Sequence, residues 1–121
     1  MVVQRLIAPA VVLATFCVSA ATAAPPSLSV SPTTVRRGHL VTVKGSAPGC
    51  GVGSTVFIIS RAFSKKHEFA GVPAVLAKVR RRGHFEATTR IPSTKRPARY
   101  AVTARCGGGN LGVIAHLKVT A

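Results

Sequence analysis

Ser60, Ser64, His67 and Glu68 lie close together in the chain and include the residue types of a nucleophile, a base and an orienting acid. No Gly-x-Ser-x-Gly elbow accompanies them, so the cluster reads as a polar surface loop. Paired-carboxylate chemistry needs two acids with separate roles, and the chain holds only Glu68 and Glu86, in different segments. His39, His67, His84 and His116 are not spaced as paired metal ligands. Gly107-Gly108-Gly109 has no helix after it and no Lys-Ser/Thr pair, so it reads as a connecting loop and not as a phosphate cradle. These patterns point to a noncatalytic protein with no metal and no cofactor.

Charge is the strongest chemical feature. Seventeen lysines and arginines stand against two carboxylates, a formal net charge of +15. The densest run is Lys78, Arg80, Arg81 and Arg82, with Lys65 and Lys66 as a second candidate anion-binding pair. Arg36-Arg37 and Lys95-Arg96 extend the basic rims. Such a surface favours an anionic cell-wall polymer or polysaccharide, acidic lipid, or nonspecific attraction to nucleic acid, all by salt-sensitive contacts. Phe57, Phe63, Phe69, Phe85 and Tyr100 mostly occupy core-like positions, which argues against a stacking platform for single-stranded nucleic acid.

The N-terminal segment predicts export. Arg5 precedes an apolar run from Leu6 to Val18, and Ala21-Thr22-Ala23 forms a small-x-small cleavage site. Residues 1–23 therefore read as a secretory signal peptide and 24–121 as one domain, secreted or associated with the cell wall, with no transmembrane span in the mature chain. The apolar run is short for a membrane helix and contains Pro9. Bulky Phe16 before Cys17 disfavours a lipid anchor there. Cys50 and Cys106 then remain, and in an oxidising compartment they have one internal pairing.

The segments that must position these groups alternate with a period of two. In Arg99–Cys106, Tyr100, Val102, Ala104 and Cys106 share a face. Ser27–Ser31, His39–Lys44, Ser54–Ser60, Ala74–Val79, His84–Ile91 and a last strand from Leu111 or Gly112 to Thr120 read likewise, with a short edge segment near Val35. Val41 and Val43 are expected inside, because the opposite choice would bury Lys44. Phe63 and Phe69 are expected to plug the core. Arg80–Gly83 is expected to close a hairpin, and Gly107–Asn110 to be a flexible loop. About seven strands with Gly/Pro-marked joints predict an all-β, immunoglobulin-like Greek-key sandwich with one disulfide, Cys50–Cys106. That bridge is expected to clamp a rim loop.

Several motifs carry a resemblance. Leu28-Ser-Val-Ser-Pro-Thr-Thr-Val35, Gly38-His-Leu-Val-Thr-Val-Lys-Gly45, the Cys50 loop, Gly83-His-Phe85 and Pro97 to Cys106 are similar to segments of small secreted immunoglobulin-like proteins of actinobacteria. The resemblance covers nearly the whole mature chain and implies the sandwich fold without implying an activity. The expected function is a noncatalytic binding or structural domain at the cell envelope. A cationic membrane-active or antimicrobial effector is the alternative, and a small secreted enzyme the third.

Overall fold

The computed structural model describes residues 25–107 and 109–121; the expected signal peptide, residues 1–23, lies outside the described residues. Among the described residues nine strands form: β1 (Ser27–Ser31), β2 (Thr34–Arg36), β3 (Leu40–Ser46), β4 (Thr55–Ile59), β5 (His67–Phe69), β6 (Val72–Lys78), β7 (His84–Arg90), β8 (Ala98–Cys106) and β9 (Gly109–Thr120). They make two sheets, ordered β1-β3-β7 and β2-β9-β8-β4-β6-β5. Neighbours pair antiparallel except β2, which runs parallel to the end of β9.

Alternation decides which side chains are buried. Val41, Val43 and Phe85 of the three-stranded sheet face Val56, Ile58, Val102, Ala104, Leu117 and Val119 of the larger one. Each such side chain contributes roughly 1.5–3 kcal/mol when fully buried. Lys44 stays exposed, as its register with Glu86 on the outer face requires. The four apolar residues Val56–Ile59 mark a central strand, and β4 is paired on both sides. Phe63 is fully buried and plugs the core from the β4–β5 connection.

The disulfide joins Cys50 to Cys106, with an S–S distance of 2.11 Å and a Cα–Cα distance of 6.4 Å. Cys50 lies in the loop after β3, and Cys106 ends β8. The bridge therefore ties the two sheets together at one rim, hereafter the disulfide end.

The structure corrects four expectations. Among the described residues there are nine strands, because β2 and the short β5 both pair with the larger sheet. β6 and β7 do not form a hairpin: the turn at Arg81–Gly83 carries the chain from one sheet to the other, and β7 pairs with β3. Gly83 makes this crossing possible. It has φ +78°, and a Cβ there would lie 2.8 Å from Pro48 Cα. Phe69 is half-buried on the outer face of the larger sheet, 5.3 Å between ring centroids from Phe57 and beneath the Arg105 guanidinium at 4.9 Å. Finally, Gly109 and Asn110 belong to β9 and pair with Cys106 and Arg105.

Candidate functional site

The candidate cations divide between two ends of the molecule. Lys78 closes β6, and its Nζ donates to Thr55 Oγ1 at 2.8 Å. Arg80, Arg81 and Arg82 follow in the sheet-crossing turn. The Gly83 N–H donates to the Arg80 carbonyl at 3.1 Å, and the Ala47 N–H donates to the Gly83 carbonyl at 2.8 Å, docking the turn on the Cys50 loop. This arginine run belongs to the disulfide end. Lys65 and Lys66 precede β5, whose His67 pairs with Ala74 at the other end of β6. At about 3.3 Å per residue, the strand holds the two groups more than about 13 Å apart. They are not one site.

The end opposite the disulfide, hereafter the crossover end, gathers most of the remaining cations. Arg36 ends β2, and the Arg37 N–H donates to the Thr120 carbonyl at 2.9 Å. Arg90 ends β7, and its Nη1 donates to the Gly38 carbonyl at 2.6 Å. Lys95 Nζ donates to the carbonyls of Arg61 at 2.9 Å and Phe63 at 3.2 Å. Arg99 lies beside Lys118 across the β8–β9 ladder. Of the two carboxylates, Glu86 pairs with Lys44 on the smaller sheet, while Glu68, opposite Pro73 on the edge strand β5, lies at this end.

A cleft of about 530 Å³ opens at the same end. β1 accompanies β3 as far as the Ser31–Thr42 pair and then leaves for the other sheet, while β3 continues to Leu40 beside Arg90. The place β1 vacates is the cleft, lined by Pro32, Thr34, Val35, Arg36, His39, Leu40 and Arg90. Its corner is fixed by backbone bonds. The Gly38 N–H donates to the Ile91 carbonyl at 2.8 Å, the Ile91 N–H to the His39 carbonyl at 2.9 Å, and the His39 N–H to the Arg36 carbonyl at 3.1 Å. Sequence reading singled out neither Arg90 nor His39. Their shared position depends on β3 pairing with β7, which alternation alone does not show.

The serine–histidine–glutamate group does not assemble. Ser60 is buried, and its Oγ accepts the Ala62 N–H at 3.1 Å, so it shapes a turn. Ser64 and His67 line a shallow cleft of about 200 Å³ with Lys66, and Glu68 is not on it. Successive side chains of a strand point to opposite faces, which separates Glu68 from His67. Among the described residues no group of three or more His, Cys, Asp or Glu is placed to hold a metal. No helix among them is long and apolar enough to cross a membrane.

No family model and no curated protein matches the chain. Among solved structures, it is similar to the Pseudomonas fluorescens alkylpurine DNA glycosylase AlkC bound to DNA containing an abasic-site analogue, at 18% identity and a TM-score of 0.43. The match covers 81% of this chain and 31% of that one. The present chain thus corresponds to less than a third of the glycosylase.

Proposed function

We propose that the chain is an exported immunoglobulin-like domain that attaches, without catalysis, to an anionic polymer of the cell envelope through its crossover end. The observation that carries this reading is the concentration of Arg36, Arg37, Arg61, Arg90, Lys95 and Arg96 around one rim, against a single carboxylate at that end, Glu68 on the edge strand β5. Like charges gathered this way repel one another, and a polyanion laid across them relieves that repulsion while releasing its own counterions.

The immunoglobulin-like assignment has its own support. β1, β3 and β7 follow the A-B-E order of such sandwiches, and β9, β8, β4 and β6 follow G-F-C-C′. β2 pairs parallel to β9, beside β1 in sequence, as a strand that switches sheets. The Tyr100 O–H donates to the Arg96 carbonyl near the start of β8, the arrangement of a tyrosine corner. The Cys50–Cys106 bridge links the ends of the B and F positions. It also favours an oxidising compartment, in keeping with export and with the resemblance to secreted actinobacterial domains.

The test is co-sedimentation of the purified exported protein with envelope material at rising salt. The reading expects binding at low ionic strength and release within a few hundred millimolar salt. Protein that stays in the supernatant at low salt contradicts it.

A further inference from the structure

We infer that the cleft between β2 and the β3–β7 corner is a subsite for one phosphodiester of a polyol-phosphate or sugar-phosphate chain; the inference rests on the anionic-polymer reading above and names its point of specificity. Arg36 stands on one wall, Arg90 and His39 on the other, so cationic and hydrogen-bonding groups from both sheets border one space. A guanidinium presents its N–H donors in a planar fork suited to phosphate oxygens. The Arg90 bond to the Gly38 carbonyl uses Nη1 and holds the group in place, leaving other N–H donors for a ligand. Ordering that side chain before binding lowers the entropy that binding must overcome.

The remaining wall is apolar. Leu40 is 51% exposed, large for a leucine on a paired strand, and it stands with Val35 and Pro32 along the cleft. This surface suits the C–H face of a polyol or sugar beside the phosphate. A nucleic-acid strand would also supply phosphodiesters. Its bases, however, call for a row of aromatic platforms, and the one aromatic ring on the cleft is the imidazole of His39. The observations therefore favour a phosphate polymer without bases. The cleft exists because the chain changes sheets after Ser31, and backbone bonds at Gly38, His39 and Ile91 fix its corner.

The test uses the ¹⁵N-labelled exported protein titrated with a short oligo(glycerol phosphate), with an oligogalacturonate of equal charge and with a single-stranded oligonucleotide. The Nε–Hε signals of Arg36 and Arg90 report the cleft; that of Arg81 reports the disulfide end. The inference expects saturable shifts at Arg36 and Arg90 with oligo(glycerol phosphate), and at least fivefold weaker responses to the other two. Arg36→Ala and Leu40→Glu should each weaken binding at least fivefold with an unchanged amide spectrum elsewhere, Arg90→Lys should retain part of it, and Arg81→Ala should change it less than twofold. If oligo(glycerol phosphate) binds but Arg36→Ala and Arg81→Ala act alike, the subsite is wrong while the anionic-polymer reading stands. Tightest binding of the oligonucleotide overturns the ligand class. No binding of any polyanion overturns both.

Discussion

Phe85 lies across Gly45, its cross-strand partner, so closely that a Cβ on Gly45 would stand 2.4 Å from the ring Cζ and 2.3 Å from the Ser27 carbonyl oxygen. The smaller sheet thus closes over the core only because β3 has no side chain there. Gly45→Ala should cost about 3 kcal/mol by forcing the ring or β1 to move. Gly49→Ala, where nothing lies within 4 Å, should change stability by less than about 0.5 kcal/mol. Urea unfolding of the two variants measures the difference.

Phe63 and Phe69 should respond very differently to truncation. Phe63 is 0% exposed inside the core, so Phe63→Ala should cost about 3–5 kcal/mol. Phe69 touches Phe57 and Arg105 on a sheet's outer face, so Phe69→Ala should cost less than about 2 kcal/mol. Equal losses would place Phe69 in the core after all.

The disulfide closes a loop of 56 residue steps. Chain-entropy arithmetic gives its upper contribution as about 4 kcal/mol. Against a typical net stability of about 5–15 kcal/mol, Cys50→Ala with Cys106→Ala should bring the domain near its unfolding threshold at 37 °C. Denaturation with and without reductant checks this, with intact mass confirming the bridge in the purified protein.

Tyr100→Phe removes one hydroxyl, and with it the bond to the Arg96 carbonyl, while keeping the ring packed against the core. The expected loss is about 1 kcal/mol. A shift in the Arg96–Arg99 amide signals, larger than at Lys118, would locate the effect in the loop before β8.

Much of the architecture was legible from residue types. Lys44 decided which face of β3 is buried, the apolar run of β4 marked its central position, and Cys50 and Cys106, the cysteines beyond the expected signal peptide, had one internal pairing. Neighbour relations were not legible. Arg80–Gly83 has the composition of a hairpin turn, and only the packing of Gly83 beneath Ala47 and Pro48 sends the chain to the other sheet. Alternation places Phe69 on a face without saying whether that face is inside. The basic runs were visible as runs, but proximity in sequence misled. Lys65-Lys66 and Arg80–Arg82 lie at opposite ends of β6, while Arg36 and Arg90, far apart in the chain, border one cleft. Such contacts arise from strand pairing over long separations, which a periodic pattern does not encode.

The central claim is that the crossover end, and not net charge alone, holds the polyanion. The direct measurement compares two charge-matched triple variants in the co-sedimentation assay at fixed low salt: Arg36, Arg37 and Arg96 changed to Gln, and Arg80, Arg81 and Arg82 changed to Gln. The account predicts that the first loses at least tenfold in binding and the second less than threefold. Equal losses in both would contradict it, since they would mean that the polymer senses only the total charge.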